Sequence, residues 1–183
     1  EEGSYGISQA SIVHSAEKCL ERIEYLHEKL RTPAIVEEFI EGRELYLSII
    51  GNQRVEVLPL VELAFGNLPE GTYPIATSKV KWDWKYQQER EIELKLPTDL
   101  DEATLRKLKR LGRRIYRVLD LTGYARIDLR LHENGDVYVL EANANPDIAY
   151  GEELSVAGEA VGISYQQLLQ KIVNLGLRYH QDA

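Results

Sequence analysis

The amino-acid sequence predicts an α+β fold, mainly antiparallel sheet with flanking helices, and three observations carry that prediction. Strand-like runs follow one another through tight turns, helical periodicity recurs behind recognisable caps, and 44% hydrophobic residues in a chain of 183 supply a core. A chain of this length buries roughly 70% of the surface its unfolded form exposes, so one compact domain with a small attached piece is expected.

After a glycine- and serine-containing opening, Ser15 is placed to cap a helix in which Ala16, Leu20, Ile23, Leu26 and Leu30 recur at helical spacing until Pro33. Ala34 to Ile40 reads as a strand, Glu41-Gly42 as a turn and Glu44 to Ile50 as a second strand. Gly51-Asn52 folds a third, Val55 to Leu63, back onto it as an antiparallel meander. From Ala64 to Pro97 the periodicity fades into a long connection. Asp101 opens a second helix with Leu105, Leu108, Ile115 and Leu119 inward, ending near Gly123. Strands Tyr124 to Leu131 and Asp136 to Asn143 come next, then an irregular stretch and a closing helix from Ser164 carrying Leu168, Leu169, Ile172 and Leu175. The chain has no internal repeat and no low-complexity segment.

A formal net charge of -8 repels polyanions, so the whole-molecule field argues against a nucleic-acid partner. The single cysteine, Cys19, excludes an internal disulfide framework, suits a reducing cytoplasmic setting, and reads as buried filler of the first helix. No apolar run approaches the ~18 residues that span a bilayer, and the opening EEGSYGIS has no signal-peptide character. The chain contains no methionine, even at position one, and opens in what reads as a loop, which points to a fragment. His14, His27, His132 and His180 lack ligand spacing, and no serine, cysteine and histidine grouping suggests a nucleophile.

The informative stretch is GYARIDLRLHENGDVYVLEANANP. Asn134-Gly135 is the preferred pair for a two-residue hairpin turn, with Glu133 facing Asp136. That register puts Asp128 opposite Glu141 and Arg126 opposite Asn143. Alternation gathers these four on one face and leaves Ala125, Ile127, Leu129 and Leu131 on the other. Opposed carboxylates repel unless something positive lies between them. A divalent cation would serve, and an oxygen-only donor set of Asp128, Glu141 and Asn143 favours magnesium over zinc. The plainer alternative is a solvated sheet face on which Arg126 or Arg130 neutralises the two carboxylates.

With Arg-Ile-Asp followed by Leu-Glu-Ala-Asn, the chain resembles the ATP-grasp ligases, and within them the D-alanine–D-alanine ligase branch, over nearly its whole length. The resemblance implies an ATP-grasp C-terminal lobe over 41–183 carrying the metal site. It also implies a remnant of the smaller ATP-binding lobe over 1–40, with a phosphate loop and a hinge strand. Asp128, Glu141 and Asn143 would then bind two magnesium ions, replaceable by manganese, that bridge the ATP phosphates. Arg126 would be the catalytic residue that steadies negative charge on acyl-phosphate and tetrahedral intermediates. Within IVEEFIEGREL, Glu37 and the backbone of Glu38 and Ile40 would meet adenine and Glu44 the ribose hydroxyls. The opening loop would close over phosphate, with Gly3, Ser4, Tyr5 and Gly6 in contact, and either Lys81 or Lys85, the former preferred, would reach the phosphates.

The implied reaction is phosphorylation of a carboxylate by ATP followed by attack of an amine, with a missing N-terminal part of the same protein supplying the substrate domain. A fragment alone would be inactive. The resemblance leaves room for a homodimer and calls for no nucleic acid and no membrane. One departure stands out: where the family supplies glycine and then serine-leucine contacts to the acceptor carboxylate, this chain reads Asp147-Ile148-Ala149-Tyr150-Gly151-Glu152-Glu153.

Two other functions compete. Arg106, Lys107, Lys109, Arg110, Arg113, Arg114 and Arg117 make a basic stripe that could dock nucleic acid, although with no aromatic interleaving and no nucleic-acid motif the solvated face of an amphipathic helix is the favoured reading. A homologue that binds nucleotide without catalysis is the other.

Overall fold

The computed structural model describes residues 4–179; Glu2 and Gly3 of the opening loop and His180 lie outside the described residues. Its strands are β1 (Arg43–Ile50), β2 (Glu56–Val57), β3 (Val61–Phe65), β4 (Ile92–Lys95), β5 (Tyr124–Leu131) and β6 (Val137–Asn143). They form one sheet in the order β4-β3-β1-β5-β6, with β2 also on β1. The helices are α1 (Ala16–Tyr25), α2 (Ser78–Trp82), α3 (Trp84–Glu89), α4 (Glu102–Val118), α5 (Glu153–Glu159) and α6 (Tyr165–Leu177). The antiparallel sheet with flanking helices is therefore as the sequence predicts.

The chain forms two compact units, Glu1–Ile40 with Phe65–Glu93, and Glu41–Ala64 with Leu94–Ala183. At the centre of the second unit β1 and β5 pair antiparallel along their whole length, from Arg43 opposite Leu131 to Ile50 opposite Tyr124. Alternation gives the pair two distinct faces. On one, Leu45, Leu47, Ile49, Ala125, Ile127, Leu129 and Leu131 pack against Leu108 and Tyr116 of α4. Gly112 makes that approach possible, since a Cβ there would stand 2.3 Å from the Leu47 side chain. On the other face Tyr46 and Ile50 pack with Leu58, Val61, Leu154, Ala157 and Leu168, bringing α5 and α6 against the sheet.

Side-chain caps start the helices where the sequence places them: Ser15 accepts from the Lys18 amide, Asp101 from Thr104, and Ser164 closes a capping box with Gln167. Several expectations need correction. Ala34 to Ile40 is not a strand: it lies outside the sheet, and Ile35 and Val36 stand exposed. The Val55 to Leu63 strand is two pieces: Pro59 lacks the N–H a ladder needs, so β2 and β3 pair with β1 on either side of it.

The long connection holds structure of its own, with Thr77 capping α2, Asp83 capping α3, and β4 at the sheet edge. Helix α4 stops at Val118, with Asp120 at φ 51, so Leu119 is exposed while Tyr116 and Gly112 take the inward positions. In the first unit α1 continues into a π-helical turn, Leu26–Leu30, and Leu20 and Cys19 are respectively exposed and half-buried. Cys19 is thus not the buried filler expected. Among the described residues no helix is long and apolar enough to cross a membrane.

Candidate functional site

The second face of the β1–β5 pair is buried yet highly charged. Register places Glu44 opposite Arg130, Tyr46 opposite Asp128 and Ser48 opposite Arg126, and β6 adds Asn143 beside Arg126 and Glu141 beside Asp128. Arg126, Asp128 and Arg130 are at most 6% exposed. Such groups are tolerated in an interior only when charges and hydrogen bonds meet.

They do meet. Arg126 donates from Nε to Asp128 Oδ1 at 2.7 Å and from Nη2 to Oδ2 at 2.8 Å, a two-pronged pair within one strand. Its Nη1 donates to Glu153 Oε2 at 2.9 Å, and its guanidinium lies 5.0 Å from the centre of the Tyr46 ring. Arg130 donates to Glu44 Oε2 at 3.0 Å and to the Gly42 carbonyl at 2.9 Å, while the Tyr46 hydroxyl donates to Glu44 Oε1 at 2.8 Å. Asn143 Nδ2 closes the group, 2.8 Å from Glu141 Oε1 and 3.3 Å from Asp128 Oδ2. Ser48 is fully buried on the same face, and its hydroxyl has no partner among the described residues.

Negative charge is in excess. Two arginines face the buried carboxylates of Glu44, Asp128 and Glu153, with exposed Glu141 alongside. Burial pushes the Asp128 carboxyl up to about 7; Arg126 pulls it back, and Glu141 adds to the rise. Burial opposes the Arg126 charge, but Asp128 and Glu153 more than restore it. Burial, Glu44 and Glu153 hold the Tyr46 hydroxyl well above its ordinary range, so it remains a donor.

A divalent cation fits this donor set. Two carboxylates and an amide lie within hydrogen-bonding distance of one another, and turning the Asn143 amide over presents its oxygen to the same point. Among the described residues no cluster of three or more histidine, cysteine, aspartate or glutamate side chains could hold a metal, so the amide is needed to complete the set.

The hairpin reaches the expected pairing by an unexpected route. The turn is a three-residue loop, not a two-residue one: the His132 amide donates to the Asp136 carbonyl, and Gly135 takes φ +85. This slips the register by one residue, so Leu129 faces Val139 and Leu131 faces Val137. A bulge at Leu140 takes up the slip, and Asp128 meets Glu141 after all.

The other candidates are spread over both units. In the first, Ser4 is buried at φ 60, Tyr5 is exposed, and Gly6 has φ +82. The Ser4 carbonyl accepts from the Ser78 hydroxyl at 2.5 Å and the Gly6 carbonyl from Arg22 Nη2 at 2.6 Å, so the loop's carbonyls are tied down. Glu37 and Glu38 are exposed and Ile40 half-buried on the irregular segment before β1. Lys81 is half-buried on α2, and Lys85 is exposed on α3 with Nζ 5.7 Å from the Trp84 ring. In the second unit, Glu44 is tied to Arg130 and Tyr46 rather than lying open to a ribose. The stripe Arg106, Lys107, Arg110, Arg113, Arg114 and Arg117 is the solvent face of α4, where Arg106 pairs with Glu102.

Sequence reasoning passed over Glu153 and Tyr46, and it offered Arg130 as a neutraliser of Asp128 and Glu141, whereas Arg130 pairs with Glu44. The run Glu44-Leu45-Tyr46-Leu47-Ser48 held a signal for Tyr46, alternating polar and apolar in step with the site strand. For Glu153 the only hint was its place in the departing segment.

Comparison with known proteins follows the same lines. A family model described as D-ala D-ala ligase C-terminus matches residues 1–174. An uncharacterized protein of Sinorhizobium fredii, y4sG, is 30% identical over 178 residues, 97% of this chain and 50% of its own. A D-alanine–D-alanine ligase of Halothermothrix orenii is 31% identical over 175 residues, 95% of this chain and 46% of its own. The chain thus spans about half the length of the curated relatives it matches. Among solved structures, the D-alanine–D-alanine ligase of Bacillus anthracis complexed with ATP superposes with a TM-score of 0.69 at 22% identity, covering 91% of this chain and 50% of that one. VanG D-Ala:D-Ser ligase of Enterococcus faecalis gives 0.70 at 20%, covering 94% and 46%. At such identities these two speak for the fold.

Proposed function

This chain belongs to the D-Ala–D-Ala ligase C-terminal family, and from that premise we propose that it is the metal- and nucleotide-binding part of an ATP-dependent carboxylate–amine ligase. The convergence of Arg126, Asp128, Glu141 and Asn143 on one sheet face carries the reading.

We assign residues 1–40 to a small ATP-binding lobe with phosphate loop and hinge, and residues 41–183 to the larger lobe with the metal site. A boundary between compact units after Ile40 supports the division, although residues 65–93 group with the first unit. Tied carbonyls at Ser4 and Gly6, with both residues at positive φ, support an anion-binding role for the opening loop. Lys81 and Lys85 both remain candidates for the phosphates. A reducing cytoplasm suits the free Cys19.

In the reaction, an oxygen of the substrate carboxylate takes the γ-phosphoryl group of ATP, and ADP leaves with the electron pair of the broken bond. The amine nitrogen then attacks the carbonyl carbon of the acyl phosphate. A C–N bond forms, the C–O bond to phosphate breaks, and hydrogen phosphate leaves with the proton shed by nitrogen. Arg126, held by Asp128 and Glu153 on one side and Tyr46 beneath, is a fixed cation where charge develops on the acyl oxygen. Asp128, Glu141 and Asn143 would hold magnesium, two ions with manganese as a substitute, and magnesium supplies neutralisation of the phosphate charge.

The test is to assay the complete protein for phosphate release from ATP across a panel of amino acids and dipeptides, with and without magnesium. Magnesium-dependent release with a particular pair bears the reading out. Tight ATP binding with no release for any pair would leave a nucleotide-binding homologue without catalysis.

A further inference from the structure

We propose that the arginine face of α4 docks a short carboxylate-rich segment of another protein. Leu108 and Tyr116 hold α4 against the apolar face of the β1–β5 pair, so the arginines stand on the far side of the sheet from the charged site. A partner there binds without touching the groups of the ligase reading.

Seven of the chain's 22 lysines and arginines fall between Arg106 and Arg117, with no aspartate or glutamate among them. Without these seven the formal balance of the chain moves from -8 to -15, so one strongly positive stretch interrupts an acidic molecule. At about 100° per residue, Arg106, Lys107, Arg110, Arg113, Arg114 and Arg117 share an arc of about 120° and run for about 16 Å along the helix axis. All six are exposed, whereas Lys109 is half-buried off the arc.

A solvated face needs no such uniformity. On α1 the exposed charges mix both signs, and Lys18 pairs with Glu21. On α4 Arg106 has an acid in Glu102, and Lys107 donates to the Gly135 carbonyl. The side chains of Arg110, Arg113, Arg114 and Arg117 have no ion pair or hydrogen bond among the described residues. Like charges four positions apart, as Arg110 with Arg114 and Arg113 with Arg117, weaken a helix. An anion laid along the stripe would offset that repulsion. Five of the six exposed cations are arginine, whose planar fork grips a carboxylate or phosphate through paired hydrogen bonds.

Composition and length favour the carboxylate. The stripe carries no aromatic ring on which a base could stack, and the apolar contact at its end is limited to Val118 and Leu119, too little to anchor on lipid. A nucleic acid or a membrane also extends well past the stripe, over surface of net negative charge, whereas an acidic peptide can end where the arginines end.

The experiment measures fluorescence anisotropy of labelled probes with the complete protein: a twelve-residue glutamate peptide, its glutamine counterpart and a (dT)12 oligonucleotide, with phosphatidylserine vesicles tested by co-sedimentation. The glutamate peptide should bind and the glutamine peptide should not, and affinity should fall at least about tenfold between about 50 mM and about 200 mM salt. Arg110→Glu combined with Arg114→Glu should weaken binding by about tenfold or more at unchanged circular dichroism. Lys29→Glu combined with Arg178→Glu alters net charge equally, away from the stripe, and should change affinity by less than about twofold. Equal losses in the two double variants would assign the attraction to net charge and overturn the proposal. Failure of the wild-type protein to bind the glutamate peptide, or tighter binding of the oligonucleotide or the vesicles, overturns it whether or not the variants fold. Each of these outcomes is read without turnover and leaves the ligase reading to its own test.

Discussion

Along β5 the two faces of one strand are buried to the same depth and built in opposite ways. Ala125, Ile127 and Leu129 meet apolar neighbours from β1 and α4, where burial itself is stabilising. Arg126, Asp128 and Arg130, from the same strand, meet charges, and each is costly to bury without its partner. Accessibility alone does not tell core from site here. What tells them apart is that the charged face carries surplus negative charge and a buried hydroxyl with nothing to bond, whereas the apolar face is filled.

The comparison predicts that damage on one face costs chemistry and on the other stability. The largest effect should come from Asp128→Asn or Glu141→Gln in the complete protein. Turnover should fall by about three orders of magnitude or more, while circular dichroism finds the fold intact. Wild-type rates in both variants would dissolve the distinction.

Next comes pH. Asp128 is pushed from 3.8 up to about 7, so between those values the folded metal-free protein holds a proton that the unfolded chain has released. The folded state binds more protons there, and stability must fall as pH rises from about 4 to about 7 and level off above. At ~1.4 kcal/mol per pH unit the full slope is about 4 kcal/mol at most. Denaturation in EDTA at pH 5 and pH 7 measures it, and Asp128→Asn should flatten the difference.

On the apolar face, Ile127→Ala should cost about 2–5 kcal/mol in the same denaturation assay, with turnover per folded molecule unchanged. A matching loss of specific activity would mean that the faces are coupled. The smallest effect belongs to Ser48. Removing its unpaired hydroxyl in Ser48→Ala should stabilise the protein by about 1 kcal/mol, and a loss of stability would show that the hydroxyl is bonded.

Much of this was legible in the sequence wherever a local rule met a long enough run. The caps at Ser15, Asp101 and Ser164 marked helix starts because each satisfies a specific backbone donor. The faces of β5 followed from alternation. Pairing partners of the longer-range kind were not legible. Ala34 to Ile40 has the composition of a strand but no ladder, and nothing in its own residues says so. The turn at Asn134-Gly135 was misjudged by one residue, and Asp128 still met Glu141 because a bulge later in β6 offset the error. Glu153 came to Arg126 across 27 positions of sequence, a distance no periodicity spans.

The bulge at Leu140 means that β6 contains a removable residue. Deleting Leu140 would leave Val139 opposite Leu129 and Glu141 opposite Asp128, so no side chain would change sides. What would disappear is the extra coil that an additional residue imposes on a strand, and with it the angle at which the Glu141 carboxylate leans toward its neighbour. The strand therefore offers a way to retune that angle by chain length alone, without exchanging a single side chain of the proposed site.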